Sequence, residues 1–366
     1  FKGSDPLGLT WHWFRVELGV RKTRAFSLGA AGRSHFYHLV SRTAGQELLF
    51  GDVEKETFQR ILLKQVKFSG VTLVAWCFMG NHFHLVIEVP DKESSLITQT
   101  EAMVLDRLQV FRDELSTRFL LSDLETCRSN EDLAGVTAIA NRVRARLFDL
   151  SRFMKELKQR MTLAYNLKHE RSGTLWEGRF KSVLLESGDA VKMVAAYVDL
   201  NPVRAGLVTD PKDYHWCSYA AAVGGMRVAR DGLVYATQGH DPNANWQKAS
   251  ENYRLLLFGV AAKSHDPKAG ERGSITQEQA RAVFEAGGKL TLAEALRCRI
   301  RYFTSGVALG SRSFIENFFA EKREYFGERR TSGARPIRGA DLGRVFTVRA
   351  LRVDPIEPPA AVYPES

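Results

Sequence analysis

Apolar and polar residues alternate along several short stretches of the chain, a pattern that predicts half-buried β-strands. Four stretches read as strands: residues 34–43 (SHFYHLVSRT), 71–78 (VTLVAWCF), 82–89 (HFHLVIEV) and 180–186. Gly80 and Asn81 supply a turn between the second and third stretches, so residues 71–89 predict a hairpin that Pro90 ends.

Apolar residues spaced three and four apart predict helices between these strands. One helix follows Asp52, a second covers 144–166, and a third covers 188–202, where Pro202 is expected to stop it. The resulting order, β-α-β-β-α-β-α, predicts an α+β fold with a ferredoxin-like antiparallel sheet and helices on one face.

Composition changes along the chain suggest five segments. We expect a basic lead-in at 1–33, a catalytic or binding domain at 34–225 with a helical insertion near 91–140, and a Gly-, Asp- and Asn-rich linker at 226–275. Two capping boxes, Thr291 with Glu294 and Ser313 with Glu316, predict a C-terminal helical domain at 276–352. A Pro-rich tail at 353–366 is expected to be disordered.

The chain carries an excess of positive charge. Its 366 residues include 52 Lys and Arg against 42 Asp and Glu, and the pI is about 9.5. This balance favours a polyanionic partner such as nucleic acid, although anionic lipid would also fit. The four cysteines form no CxxC pair, which argues against a disulfide framework and for a reducing cytosol. No apolar run approaches the length of a membrane span, so we expect no membrane partner.

Two histidines share one side of the third strand. His82 and His84 lie two residues apart, so their side chains point the same way, while Phe83 points to the other side. Two neutral imidazoles this close are half of a divalent-metal site. A pair of hydrogen-bonded histidines without a metal fits the pattern equally well, and a zinc site completed by Cys77 lacks a fourth ligand.

A tyrosine and an amide on the third helix offer complementary chemistry. Tyr197 and Asn201 are four residues apart and therefore lie one turn apart on one helical face. Asn201 has a hard carbonyl oxygen for a metal, and Tyr197 has a phenol that is a competent nucleophile toward a phosphate. Taken alone, Tyr197 also fits an amphipathic residue that packs its ring and leaves its hydroxyl in water.

Four motifs together resemble one family in the same order along the chain. Residues 37–42 (YHLVSR), 81–90 (NHFHLVIEVP), 175–182 (LWEGRFKS) and 197–208 (YVDLNPVRAGLV) resemble the bacterial REP-associated tyrosine transposases, members of the histidine–hydrophobic–histidine (HUH) group of single-strand DNA transposases. The resemblance covers about residues 34–222 and omits the insertion and the C-terminal region.

The resemblance implies a specific chemistry. By position, His82, His84 and Asn201 would bind Mg²⁺ or Mn²⁺, and Tyr197 would attack single-stranded DNA near a repeat hairpin to form a 5′-phosphotyrosine. It implies an HUH nuclease fold, a monomeric active site and a cytoplasmic, nucleoid-associated enzyme with no protein partner. A non-catalytic binder of single-stranded DNA or RNA hairpins, or a metal-dependent hydrolytic nuclease, remains an alternative.

Basic residues interleaved with aromatic ones suggest where DNA would lie. The candidate DNA contacts are Arg42, Arg171, Trp176, Arg179, Lys181 and Arg204. A core strand with solvated cations explains the 171–181 stretch equally well. The C-terminal capping boxes, with residues 305–312 between them, could form a helix-turn-helix for duplex DNA or an ordinary accessory domain.

Overall fold

A single mixed sheet forms the centre of the molecule. The computed structural model describes residues 32–258, 289–349 and 356–357; most of the expected lead-in and tail lies outside them. The strands of this sheet are β1 (His35–Arg42), β2 (Thr72–Phe78), β3 (His82–Val89), β4 (Lys181–Leu185), β6 (Ala308–Gly310), β7 (Arg335–Pro336) and β8 (Phe346–Thr347). They lie in the order β2-β3-β1-β4-β6-β8-β7, and every pair is antiparallel except β4 with β6. The short strands β5 (Arg299–Ile300) and β9 (Ile356–Glu357) form a separate pair.

Helices fill the connections between the strands. Those of the described residues are, in chain order, α1 (Asp52–Ser69), α2 (Lys92–Ile97), α3 (Glu101–Asp106), α4 (Leu115–Ser129), α5 (Leu133–Arg144), α6 (Leu150–Lys168), α7 (Asp189–Asp199), α8 (Asn201–Arg204), α9 (Ser218–Val223), α10 (Arg227–Gln238), α11 (Trp246–Phe258), α12 (Leu292–Leu296), α13 (Arg301–Ser305) and α14 (Arg312–Glu321). The α+β class and the four N-terminal strands are as the sequence predicted. Short 3-10 turns join several of these elements.

Helices cover both faces of the sheet. On one face the ring of Phe83 in β3 lies 4.7 Å from that of Phe58 in α1. On the opposite face the ring of His84 lies 6.3 Å from that of Tyr197 in α7. The expectation of helices on one face is therefore wrong. The reason lies in β1 and β3, which are buried at almost every position and so need a packing layer on each side.

The insertion forms a lobe with its own small core. Helices α2 to α5 pack around a cluster that is separate from the main core and that also includes Phe68 at the end of α1 and Phe148 before α6. The members contributed by the insertion are Val104, Leu105, Leu108, Phe111, Leu124, Val136, Ile139, Ala140 and Val143. Helix α6 begins at Leu150 rather than at 144, because the Asp149 side chain caps the amide of Arg152.

The described part of the expected linker, residues 226–258, instead packs on the main core. Over the described part of 226–275, helix α10 packs on β2, and a Cβ at Gly232 would lie 2.5 Å from the carbonyl oxygen of Val74. The side of α10 that faces the sheet consists of small and apolar residues, Ala229, Gly232, Leu233 and Ala236. The polar composition of this segment therefore reflects the outer face of an amphipathic helix.

The C-terminal region extends the sheet and does not form a separate helical domain. Strand β6 pairs in parallel with β4, with Leu184 opposite Ala308 and Leu185 opposite Leu309. This strand occupies part of the segment that was expected to turn between two DNA-binding helices. The helix-turn-helix prediction is therefore wrong.

Only one of the two predicted capping boxes forms. Thr291 and Glu294 cap α12 reciprocally. At α14 the cap is Ser311, which accepts a hydrogen bond from the amide of Phe314. Glu316 instead accepts hydrogen bonds from the amides of Gly333 and Ala334. Within the described ranges, no helix is both long and apolar enough to cross a lipid bilayer.

A part-buried ion cluster ties the insertion lobe to α6. Glu156 accepts hydrogen bonds from Arg146 at 2.7 and 2.9 Å and from Arg160 at 3.1 Å, and Arg160 also pairs with Glu114. Burial would raise the pKa of Glu156, but its bonds to Arg146 and Arg160 outweigh burial and hold the pKa below its ordinary value.

Replacing Glu156 with Gln should lower the free energy of unfolding by about 1–3 kcal/mol at pH 7. A depressed carboxyl pKa stabilises the fold above the unfolded-state pKa, and this contribution disappears as the pH falls through the folded-state pKa. The difference between wild type and Glu156→Gln in urea unfolding should therefore shrink in acid. Glu125→Gln, on an exposed position of α4, is the control; a Glu156 effect of constant size across pH would contradict the assignment.

Candidate functional site

The two histidines of β3 lie where the alternation predicted. His82 pairs with Arg42 of β1 and His84 pairs with Val40, on the side of the sheet that α7 covers. Their rings lie 5.1 Å apart and are nearly perpendicular. Phe83, between them, points into the opposite core layer. The strand thus fixes both imidazoles on one side without help from a loop.

The hydrogen bonds of His82 leave one ring nitrogen available. Its Nδ1 lies 2.7 Å from Oδ1 of Asn81, whose Nδ2 donates to the carbonyl of Gln46. Because the amide oxygen only accepts, Nδ1 of His82 carries the proton. Burial, with the charges of Arg42 and Arg204, lowers the pKa of His82 to about 3. The ring is therefore neutral at pH 7, and its Nε2 keeps a lone pair.

A second buried histidine sets the proton position of His84. Nδ1 of His38 lies 2.6 Å from the carbonyl oxygen of Phe303, which only accepts, so His38 donates there. Burial lowers the pKa of His38 to about 4, so the ring is neutral and its Nε2 accepts. That Nε2 lies 2.9 Å from Nδ1 of His84, which must donate. His84 therefore also keeps its lone pair on Nε2.

Tyr197 lies over His38 and His84. Its ring stands edge-on to His84 at 6.3 Å and to His38 at 6.2 Å. The guanidinium of Arg204 lies 3.8 Å from the ring centre, and Phe303 packs edge-on at 5.1 Å. Tyr197 is only 2% exposed. The structure thus brings the tyrosine and His84 together within one chain, in a covered position.

A buried carboxylate fixes the helix that carries Tyr197. Asp199, at the end of α7, accepts hydrogen bonds from the hydroxyls of Ser218 and Tyr253, both at 2.7 Å, and from the amide of Tyr219 at 2.9 Å. Burial raises the pKa of Asp199 to about 6 against the effect of these donors. Helices α7, α9 and α11 are therefore joined at one point beneath the site.

Asn201 lies four residues after Tyr197 but in the next helix, as the first residue of α8. Pro202 does not stop the chain's helical path; it occupies the first turn of α8, where a missing amide proton costs nothing. The Nδ2 of Asn201 donates to the carbonyl of Val198 at 3.2 Å. In the part of the chain that the structure describes, no hydrogen bond joins Asn201 to either histidine of β3.

Arg204 has a structural position and is not an open DNA contact. Its Nη1 donates to the carbonyl of Leu296 and its Nη2 to that of Tyr197. Burial lowers its pKa, yet a guanidinium keeps its charge. Together with Arg42 and Arg299 it places positive charge around His82. The site is therefore electropositive, which suits a bound phosphate.

The predicted DNA contacts around 171–181 divide into core and surface residues. Trp176 is buried, packs at 5.5 Å against Phe83, and donates from Nε1 to Lys158 and Thr162. The prediction that it stacks on bases is wrong, because its ring completes the core layer of α1 and α6. Arg171, Arg179 and Lys181 are exposed, and Arg42 is half-buried.

A cysteine-containing zinc site is not supported. Cys77 pairs with His84 in the hairpin, and its backbone forms an isolated antiparallel β-bridge with Cys217 at the same edge of the sheet. Both thiols are buried, and neither is in a disulfide bond. Burial raises the pKa of each thiol, which disfavours the thiolate that zinc needs. Among the described residues, no group of three or more His, Cys, Asp or Glu has a metal-binding arrangement.

Comparison with known proteins gives a distant structural likeness. No family model matches the chain, and no curated protein matches it. The chain is similar to a solved structure of a REP-associated tyrosine transposase bound to a REP hairpin. The identity is 14%, the TM-score is 0.35, and the match covers 62% of this chain and 97% of that one. A likeness this distant assigns no role to any residue, so function has to be inferred from the site itself.

His38 and Phe303 are the site residues that sequence reasoning missed. His38 lies in the alternating pattern of β1 on the same parity as Val40, which pairs with His84, and this parity was the available signal. Phe303 gave no signal, because its contribution is a main-chain carbonyl from a segment 265 residues away.

Replacing His38 with Phe should leave the carbonyl of Phe303 and Nδ1 of His84 without partners. We expect a loss of about 1–3 kcal/mol in the free energy of unfolding. We also expect the proton of His84, followed by ¹⁵N NMR of the imidazole nitrogens, to lose its preference for Nδ1. His38→Gln retains one donor and one acceptor and should lose less. An unchanged His84 spectrum in His38→Phe would disprove the relay.

Proposed function

We propose that this protein is a single-strand DNA endonuclease and transesterase of the HUH tyrosine transposase type. The observation that carries the proposal is the meeting of Tyr197 with His84 at a site where both β3 histidines keep a free Nε2. Three of the four family-like motifs contribute to the neighbouring strands β3, β1 and β4, and the fourth begins at Tyr197, which packs on His84. The expected substrate is single-stranded DNA beside a hairpin.

The strand order supports the proposed fold assignment. The first four strands follow the spatial order β2-β3-β1-β4, and each adjacent pair is antiparallel. This is the order of a β-α-β-β-α-β ferredoxin-like unit, in which β1 and β3 are central. The histidines are thus on a central strand, and we propose that the remaining strands are an addition to an HUH unit.

The donor set fits Mn²⁺ better than Mg²⁺. Two neutral imidazoles suit manganese, whereas magnesium prefers oxygen ligands. His82 and His84 would hold the ion, each oriented by a hydrogen bond at its other nitrogen, and the Asn201 amide oxygen is the candidate third ligand. When bound, the ion would neutralise charge on a phosphate oxygen and make the phosphorus more electrophilic.

The chain's own residues account for the rest of the proposed reaction. The Tyr197 oxygen forms a bond to phosphorus as the bond to the 3′ oxygen breaks. The products are a 5′-phosphotyrosine and a free 3′-hydroxyl, which receives a proton. Arg204 on the ring face would stabilise negative charge on the phenol oxygen. Because Tyr197 and His84 belong to one chain, the site needs no second subunit, consistent with the expected monomer.

A second candidate function is hairpin binding without strand cleavage. The burial of Tyr197 at 2% exposure favours it, because a nucleophile must reach phosphorus. For cleavage, α13 and its Phe303 would have to move away from the phenol. A binder would have the same basic surface and the same sheet but would form no covalent product.

Tyr197→Phe should abolish a covalent protein–DNA adduct and leave hairpin binding unchanged. The test uses a single-stranded hairpin substrate with Mn²⁺, labelled at its 3′ end in one sample and at its 5′ end in another. The proposed chemistry sends the 3′ label with the protein on a denaturing gel and releases the 5′ label. Tyr235→Phe, on α10, is the control. Release of the 5′ label without any adduct would indicate hydrolysis, and no cleavage at all would favour the binder.

His82→Ala should weaken Mn²⁺ binding by more than about tenfold, because it removes a first ligand. Binding can be measured without DNA from the electron paramagnetic resonance of free Mn²⁺. His215→Ala changes an exposed histidine away from the site and should bind like wild type. Equal affinities for the two variants would refute the metal site.

A further inference from the structure

A basic groove lies where β4 meets the C-terminal region. It encloses about 680 Å³ between the start of β4, helix α13 and the end of α14. Four cationic side chains line it, Arg179, Lys181, Lys322 and Arg349, and no Asp or Glu is among the described residues that line it. Four aromatic residues, Phe180, Phe318, Tyr325 and Phe326, also line it. Tyr325 is 42% exposed.

The groove lies near the histidine site on the same sheet. Lys181 pairs with Val40, and Val40 pairs with His84, so these residues form one row across three neighbouring strands. Two strand spacings separate Lys181 from His84, or roughly 10 Å. On the other wall, Thr304 to Gly306 follow Phe303 directly, whose carbonyl bonds His38.

The chemistry of the groove matches unpaired nucleotides. Clustered cations with no opposing carboxylate attract phosphates, and partly exposed aromatic rings stack on bases that are not paired. A DNA duplex, about 20 Å wide, is too wide for a cavity of this size. Its bases are also stacked inside the helix and offer no free face to an aromatic ring. An acidic peptide would form ion pairs with the cations but would gain less from stacking on the aromatic rings.

We propose that this groove binds the single-stranded segment that leads away from the histidine site. Residues 304–349 would then hold the strand by its phosphates and stack at least one base on Tyr325. The proposal rests on the proposed function for the direction of the strand, but binding in the groove does not depend on cleavage. It assigns to the C-terminal region a role in binding single-stranded substrate. The helix-turn-helix suggested by the sequence would instead have bound duplex DNA.

The test compares two double variants of the full chain. Arg179→Gln with Lys322→Gln removes two groove cations, and Arg118→Gln with Arg142→Gln removes two exposed cations from the insertion lobe. Binding of a fluorescent oligothymidylate of about 12 nucleotides, which forms no hairpin, is measured across salt concentrations. The groove double should flatten the plot of log affinity against log salt by about 1.4, at about 0.7 per phosphate contact. The insertion double should keep the wild-type slope.

Tyr325 supplies an independent arm of the test. Tyr325→Ala should weaken oligothymidylate binding by on the order of tenfold, and Tyr325→Phe, which keeps the ring, should bind like wild type. Thermal unfolding of every variant shows whether it is folded. If Tyr325→Ala is unfolded, Tyr325→Phe still tests whether the aromatic ring alone is sufficient for binding. Groove variants that bind the oligonucleotide like the insertion double, or that lose only binding to polyglutamate, would overturn the proposal.

The adduct assay separates this proposal from the proposed function. Loss of binding in the groove variants with no adduct in wild type would support the groove and contradict the transesterase. A Tyr197-dependent adduct with unchanged oligothymidylate binding in the groove variants would contradict the groove and leave the transesterase standing.

Discussion

Burying imidazoles inside a sheet is the constraint on which this structure depends. A buried ring nitrogen needs a partner of the right kind, because an unsatisfied polar group costs about 1–3 kcal/mol. The chain meets this need for His38 and His84 with a single line of hydrogen bonds that begins at the carbonyl of Phe303. That carbonyl can only accept, so one main-chain atom determines where the protons lie on two side chains in turn.

This dependence makes the C-terminal region part of the site. Phe303 orients His38 through its carbonyl and packs its ring on Tyr197, while Leu296 accepts from Arg204. The region that the family-like motifs do not cover therefore contacts His38, Tyr197 and Arg204. A substrate that reaches Tyr197 must do so beside or beneath these residues, which couples substrate access to the position of α13.

The strands that carry the site could be predicted from the sequence because local alternation determines them. The parity of His82, Phe83 and His84 was sufficient to place both imidazoles on one side, and the structure agrees. Trp176 was misassigned because an aromatic beside basic residues looks the same whether its ring packs inward or stacks outward. Burial of that ring depends on contacts with α6 and with α1, which is distant in sequence.

The other incorrect predictions each have a separate cause. The polar face of α10 hid a buried side made mostly of small residues, and a three-residue strand such as β6 is too short for alternation to register. Pro202 was expected to end the helix because proline disfavours the helical conformation of the residue before it. Here α7 ends at Asp199, and Asn201 and Pro202 begin a new helix after Leu200.

The parallel pairing of β4 with β6 has a consequence for how the chain can be divided. Strand β4 would be an edge strand if the sheet ended at the boundary that the motifs suggest, and its Val183, Leu184 and Leu185 are all buried. An edge of unpaired amides flanked by such side chains is a template for joining other chains. The C-terminal residues close that edge, so a fragment trimmed to the motif-bearing part would tend to self-associate. The C-terminal region, which lies outside the family-like motifs, therefore protects the β4 edge from pairing with other chains.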